Sequence, residues 1–298
     1  MEFNWDDMRI FLSVARSESL SGAAHALRLD PATVGRRVQR LERALEVPLF
    51  TKSPQGYVLT DEGQRFFDHA MRAETAMERG ADDLRGRAGR LSGQIRIGAP
   101  DGCANYLLPQ VTRAIMDDHP ELEVQIVALP RVFNLSKREA DMAIAVSRPT
   151  AGRLTVQKIA DYKLHLAASR DYLEGADPIQ GLTDLKAHPV VGYIPDMVFD
   201  KELDYLSETG ADKVDFASNS VSVQLNWIRA GAGIGIVHDF ALPAVPGIAR
   251  ILTDELSLSR TFWLIRHHDE RRSERLGRFS DLLISGLRAE IARLEALT

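Results

Sequence analysis

The sequence predicts a multidomain chain. An all-α winged helix-turn-helix module spans residues 1–60, a long linker helix 61–91, and a two-lobed α/β domain 92–298. Three observations predict it. Apolar residues recur at helical spacing through the first 45 residues, then give way to a short hairpin pattern. From Gln64 to Arg90 there is no proline, and apolar residues return every seven positions. From SGQIRIGAP onward, strand and helix patterns alternate, as an α/β domain requires.

Composition sets the outer limits. A chain of 298 residues outgrows an ordinary single core. With 45% hydrophobic and 27% charged residues it is globular rather than disordered. No apolar run approaches the roughly 18 residues of a membrane span, so no membrane partner is expected. The acidic start MEFNWDDMRIFL does not read as a signal peptide, and a cytoplasmic location is the expectation. Cys103 is the sole cysteine, which excludes an internal disulfide and a cysteine-rich metal site. The formal charge is −5, from 42 acidic and 37 basic residues. That argues against a polyelectrolyte binder acting over its whole surface. A local basic face stays open to it, because screening confines exposed charge to roughly 8–10 Å.

The module is read element by element. Asn4 caps a helix from Trp5 to about Arg16, with Met8, Phe11, Leu12 and Ala15 on its apolar face. Ser19 or Ser21 opens a second short helix with Ala23, Ala24 and Leu27 inward. Asp30 offers an N-cap acceptor and Pro31 suits the first helical position, where its missing N–H costs nothing. The third helix runs to about Leu45, burying Val34, Val38, Leu41 and Leu45 and leaving Arg36, Arg37, Gln39, Arg40 and Arg43 outside. Residues 49–52 and 57–60 are strand candidates around the turn Ser53-Pro54-Gln55-Gly56. Three helices and a hairpin make a winged helix-turn-helix, whose second and third helices form the DNA-docking pair.

The stretch WDDMRIFLSVARSESLSGAAHALRLDPATVGRRVQRLERALEVPLF, followed by GYVLTDEG, resembles the LysR-type transcriptional regulators over about sixty consecutive positions. For an arbitrary helix, Arg36, Arg37 and Arg40 would read as a solvated face; the hairpin context favours DNA. Arginine suits the task because its planar fork grips a phosphate or a guanine edge with two bonds. Ala32, Thr33, Arg36 and Arg37 are the candidates for facing bases, and Arg40 and Lys52 for phosphate. Ser21 and Gly35 complete the DNA-facing set. Three departures from the family pattern stand out. Gly35 replaces the usual serine, at a helix cost of roughly 1 kcal/mol against alanine. Glu18 and Glu46 stand where helix-ending glycines are usual, so either a left-handed non-glycine residue or a different helix end is expected there. The wing tip Pro54-Gln55-Gly56 carries no arginine.

Thr60 caps the next helix, with Asp61 and Glu62 in its first turn. Ala70, Met77, Leu84 and Leu91 recur every seven residues beside Phe66, Ala73, Ala81 and Ala88, a seam for a partner helix. The alternative is a helix packed on its own domain. The resemblance implies that this helix pairs two subunits; Phe66, Ala70, Met77 and Leu84 are the dimerisation candidates. A homodimer, and by the family's habit a homotetramer, would then bind an inverted-repeat double-stranded DNA operator. RNA polymerase is a further partner on the same implication.

Beyond residue 92, QIRIGA, LEVQIVAL, ADMAIAV, VQKIA, YKLHLAAS, HPVVGYI, IGIVHDF and TFWLIRH read as strands. LLPQVTRAIMDDHP, SVSVQLNWIRAGAG and the tail from about Arg272 read as helices. The expected sheets are largely parallel. One lobe would comprise 92–161 and 266–298 and the other 162–265, resembling the periplasmic-binding-protein-like effector domain of the same regulators. Gly231-Ala232-Gly233-Ile234-Gly235 mimics a dinucleotide loop, but here the helix comes first and the strand follows, so a glycine helix stop is preferred. His267-His268 has no evident partner pair, and no nucleophile motif or HExxH occurs. No metal, cofactor or enzymatic activity is expected. A free solute-binding protein would need an export signal, and an enzyme a convergent catalytic set.

A small-molecule effector is expected between the lobes, where strand ends and helix N-termini converge. The candidates are Asp101, Gly102 and Cys103 after the first strand, Arg131 after the second, and Ser147 and Arg148 after the third. The second lobe offers Tyr193, Asn219, Ser220 and His238. Each could instead serve loops or caps. An acid at Asp101 disfavours a simple carboxylate effector unless Arg131 or Arg148 compensates.

Overall fold

The computed structural model describes residues 4–53, 56–84, 90–128, 140–149, 153–198, 200–211, 213–267 and 273–298. The chain divides into two compact units, Met1–Gly89 and Arg90–Thr298.

The first unit contains α1 (Trp5–Ser17), α2 (Leu20–Leu27), α3 (Pro31–Leu45), the hairpin β1 (Phe50–Ser53) and β2 (Gly56–Leu59), and α4 (Asp61–Leu84). Side-chain caps start the helices. Asn4 accepts from the Asp6 N–H, Ser19 from that of Gly22, and Asp30 from that of Thr33. Thr60 accepts from the Gly63 N–H at 2.9 Å and ties back to the Pro48 carbonyl at 2.8 Å. The first three helices end on left-handed non-glycine residues, Glu18, Arg28 and Glu46. Glu18 and Glu46 thus take the conformation that their glycine-like positions demand. The core centres on Phe11, fully buried, whose ring lies 5.2 Å from that of Phe50 and 5.1 Å from that of Phe66.

Two glycines are required by close approach. A Cβ on Gly63 would lie 1.9 Å from the Leu49 carbonyl oxygen, so α4 leaves the hairpin with no space between them. Gly56 has a φ of 133°, and a Cβ there would lie 2.3 Å from the Glu18 carbonyl oxygen. That same carbonyl accepts the Tyr57 N–H at 2.8 Å, which fastens the wing to the end of α1.

The second unit contains β3 (Gly93–Ala99), α5 (Asp101–Tyr106), α6 (Leu108–Asp118), β4 (Leu122–Ala128), β5 (Met142–Ala145) and β6 (Leu154–Ser169). Then come α7 (Arg170–Gly175), β7 (Val190–Gly192), α8 (Leu206–Thr209), β8 (Phe216–Ala217), α9 (Val221–Arg229), β9 (Ile234–His238), β10 (Ile248–Arg250), β11 (Ser257–His267) and α10 (Glu274–Glu295). The strands hydrogen-bond in the order β4-β3-β5-β11-β6-β9-β7-β8, with β10 beside β6. The sheets are mixed rather than largely parallel. β3 runs parallel to β4 and β5, and β7 to β8 and β9, but β6 and β11 pair antiparallel with each other and with their neighbours.

The segments VQKIA and YKLHLAAS form one 16-residue strand rather than two. β6 and β11 therefore run through the middle of the sheet, linking β5 on one side to β9 and β10 on the other. Their register slips between Phe262 and Trp263, which face Ala160 and Lys158 and leave Ile159 out. α9 ends at Ala230, and Gly231 and Gly233 take positive φ before β9, so the glycine run is a helix stop. Leu91, placed by its spacing in the linker seam, is instead buried in the α/β core, with its N–H donated to His119 at 3.3 Å.

Candidate functional site

The start of α3 presents a small outward surface. Pro31, Ala32 and Arg36 are exposed, and Thr33 and Gly35 are half-buried. The Thr33 hydroxyl and its backbone N–H hold the Asp30 carboxyl below the usual carboxylate range, so the cap is ionised near neutrality. Arg36 Nη2 donates to Thr33 Oγ1 at 2.9 Å, folding this guanidinium along the helix start. Ser21 lies exposed within α2, since Ser19 is the residue that caps it. Lys52 sits in β1 opposite Tyr57. A Cβ on Gly35 would lie 3.4 Å from the Leu20 side chain, an ordinary contact that leaves space for a serine.

Arg37 and Arg40 have partners the sequence does not reveal. Arg37 Nη1 pairs with Asp6 and lies 3.9 Å from Asp7; Arg40 grips both oxygens of Asp7 through Nε and Nη2. The Asp7 side chain is only 2% exposed. These ion pairs join α3 to α1 and neutralise part of the arginine charge. Arg40 still keeps an exposed outer surface.

The linker candidates also divide. Ala70 is buried and Phe66 half-buried in the module's own core, while Met77 is 62% exposed. Leu84 closes α4. The first turns of this helix thus follow the packed-on-its-own-domain alternative, and its later part carries the exposed apolar residue.

In the second unit, α5, the start of α9 and the end of β9 converge. Asp101 Oδ2 accepts from the Ser222 N–H at 3.0 Å, from Ser220 Oγ at 3.2 Å and from Ser222 Oγ at 3.3 Å. Its Oδ1 accepts from Asn105 Nδ2 at 3.2 Å. A carboxylate of the chain itself therefore occupies the N-terminus of α9, where backbone N–H groups and the helix dipole favour an anion. Ser220 also caps α9 through the Val223 N–H, and Asn219 precedes that cap. Gly102 and Cys103 are buried. A Cβ on Gly102 would lie 3.5 Å from His238 Cε1, so the two elements meet closely. Burial raises the Cys103 thiol far above its ordinary range, which makes it a packing residue and not a nucleophile.

A second crossing joins the segment after β5 to the segment after β7. Ser147 Oγ donates to Asp200 Oδ2. Arg148 stacks over the Trp263 ring at 5.7 Å. Arg131 lies outside the described residues. Tyr193 is half-buried with its ring 5.7 Å from that of Tyr205, and burial holds its hydroxyl well above the ordinary tyrosine range. His238 is buried, its ring stacked 5.5 Å from that of Tyr162 and its Nδ1 without a partner among the described residues. Burial pulls its pKa down to about 4, so the ring is neutral.

Sequence reading missed Ser222, Asp200, Tyr162 and Tyr205. Ser222 had a signal, as a second hydroxyl in the first turn of α9. Asp200 had none, because its partner lies 53 positions away. Among the described residues no group of three or more His, Cys, Asp or Glu could hold a metal ion. Among them, too, no helix is long and apolar enough to cross a membrane.

Two family models match the chain. The bacterial regulatory helix-turn-helix protein, lysR family, matches residues 5–64, and the LysR substrate binding domain matches residues 88–288. The HTH-type transcriptional activator TtdR of Escherichia coli (strain K12) is 29% identical over 278 residues, covering 91% of this chain and 89% of its own. The solved structure of CrgA, a LysR-type transcriptional regulator from Neisseria meningitidis, gives a TM-score of 0.59 at 22% identity, covering 96% of this chain and 99% of that one. Full-length LysG from Corynebacterium glutamicum with bound effector Arg gives 0.62 at 19% identity, covering 96% and 99%. At these identities the two structures speak for the fold alone.

Proposed function

Since the chain belongs to the LysR-type transcriptional regulators, a non-enzymatic family that binds DNA and carries an effector domain, we propose how its two units divide the work. The α3 start enters the major groove and reads bases through Ala32, Thr33 and Arg36, with Ser21 and Gly35 lining the approach. Arg37 contributes at its outer edge, and Arg40 and Lys52 position phosphates. The observation that carries this is the exposed, Asp30-capped start of α3 with Arg36 folded along it.

The protein acts in the cytoplasm as a homo-oligomer on an inverted-repeat operator, paired through the later part of α4. A dimer is the minimal unit, a tetramer and contact with RNA polymerase its extension. An effector binds where α5, α9 and β9 meet and shifts the balance between two arrangements of the paired DNA-binding modules. Asp101, Gly102, Cys103, Asn219, Ser220 and His238 belong to that place, Ser147, Arg148 and Tyr193 to the second crossing, and Arg131, outside the described residues, is a further candidate by sequence. An anionic effector must displace Asp101 from α9. The Asp101–Ser220–Ser222 contacts and the Ser147–Asp200 bond are the crossings that such a ligand would remake.

The test is selection of bound fragments from a random duplex pool by the purified full chain, followed by gel shifts at several salt concentrations. Arg36→Ala should lose about tenfold or more at the selected operator, with little loss on unrelated DNA. Equal losses on both would make Arg36 a phosphate contact. No selection at all would remove the operator reading.

A further inference from the structure

Inside the second lobe lies a cavity of about 610 Å³, well within the span of small-molecule sites. Its lining comes from residues 166–236. Asp101, Gly102, Ser220 and His238 do not border it, but Tyr193, Asp200 and, from α9, Gln224 do, so it adjoins the meeting point of α5, α9 and β9 without coinciding with it. Leu166 of β6, Val191 of β7 and Ile236 of β9 form one wall, and Val198, Leu203 and Tyr205 form another.

Two features distinguish it from a packing gap. Tyr205 is 7% exposed, and its hydroxyl is buried without a hydrogen-bond partner among the described residues. A buried hydroxyl left in that state is costly, and an acceptor entering the cavity would relieve it. The charged side chains of the lining are Asp200, Asp204 and Lys201. Two carboxylates against one ammonium, around apolar walls, disfavour an anion.

The geometry points to this cavity as a binding site for an uncharged, largely apolar molecule with one hydrogen-bond acceptor, such as a ketone or ester carbonyl, received by the Tyr205 hydroxyl. Asp200 links the site to the rest of the domain, because it borders the cavity and accepts from Ser147 across the lobes. A molecule that shifts the 198–205 segment therefore acts on that bond. This consequence for DNA binding rests on the regulator reading; the ligand chemistry rests on the cavity alone.

The probe is prodan, a neutral naphthalene ketone whose emission reports both polarity and hydrogen bonding at its carbonyl. Its counterpart is dimethylaminonaphthoate, in which a carboxylate replaces the ketone. Titration of the full chain should give saturable, blue-shifted prodan emission, with the carboxylate binding at least about tenfold more weakly. Tyr205→Phe should weaken prodan several-fold and shift its emission as the hydrogen bond is lost. Ile236→Trp, which fills the cavity, should abolish binding while thermal unfolding verifies that the variant folds. Equal binding of the carboxylate, or prodan held as tightly by both variants, overturns the proposal. If Ile236→Trp does not fold, Tyr205→Phe decides alone. A parallel gel shift separates the two readings: loss of operator binding in the unmodified protein, with prodan binding intact, removes the regulator reading and leaves the cavity assignment standing.

Discussion

His238 shows what one buried side chain does to the whole. Its pKa is pulled down to about 4 by burial, whereas an unfolded histidine titrates near 6.5. Between those values the unfolded chain takes up a proton that the folded ring refuses. Stability is therefore complete above about pH 6.5 and falls as the pH drops toward 4, by about 2 kcal/mol at pH 5. Replacing the ring by an isosteric apolar one, His238→Phe, should flatten that dependence; urea midpoints at pH 7 and pH 5 measure it, and an undiminished gap would contradict the assignment. Glu46 makes the opposite kind of case. Its left-handed φ of 58° costs an L-residue about 1 kcal/mol. Glu46→Gly should recover part of that and raise the melting temperature of the N-terminal unit, unless the greater freedom of glycine in the unfolded chain offsets it completely. Gly35 needs no special backbone, and a side chain there meets only Leu20. Gly35→Ser should fold normally and change operator preference, if anything, rather than stability.

Among the elements, α3 carries the most altered reading. Its period placed Val34, Val38, Leu41 and Leu45 inside; the first three are buried and Leu45, in the last turn, is half-buried. Its polar face was legible only as polar. The commitment of Arg37 and Arg40 to Asp6 and Asp7 was not, because those partners lie over thirty positions upstream on another helix. Asp7→Asn keeps the shape and frees the Arg40 guanidinium, while Arg37 stays paired with Asp6. The expected outcome is a lower melting temperature together with tighter, more salt-dependent binding to unrelated DNA. Lower stability with unchanged DNA affinity would confine Arg40 to structure. The junction of hairpin and α4 is equally exacting. Gly63→Ala drives a methyl into the Leu49 carbonyl, and the N-terminal unit should lose its cooperative unfolding transition by circular dichroism. Wild-type-like melting would show that α4 can shift at no cost.

At the level of the molecule, pairing and sensing are the open questions, and α4 bears on the first. Its start is consumed by the core around Phe11, and Met77 is an apolar side chain left in solvent. Met77→Asp should move the full chain toward monomer in sedimentation velocity and weaken binding to an inverted repeat far more than to a half-site. An unchanged sedimentation coefficient would place the subunit contact elsewhere. The effector domain depends on long-range closure throughout. A His165–Asp239–Arg250 cluster, with bonds of 2.8 Å to each side of Asp239, ties β6 and β10 to the turn after β9. Arg250 also reaches the carbonyl of Thr298 at the end of the chain.

The sequence by itself determined the N-terminal elements and their order, the α/β class of the rest and the family, but not that VQKIA and YKLHLAAS form one strand, nor the short β8 and β10. Periodicity, caps and turn residues act within a few positions, so a linear reading captures them. Glu18 and Glu46 belong here in part, since a missing glycine at a helix end left two possibilities, a left-handed residue or a different end, and the structure shows the first. Only the tertiary structure decided which charges neutralise one another, which part of α4 faces its own core, and that Asp101 fills the N-terminus of α9. Nor did periodicity reveal the second-lobe cavity, assembled from strands and a loop far apart along the chain. A repeat pattern states that a side chain faces something. What it faces depends on where distant segments are brought together, and that is fixed only when the core closes.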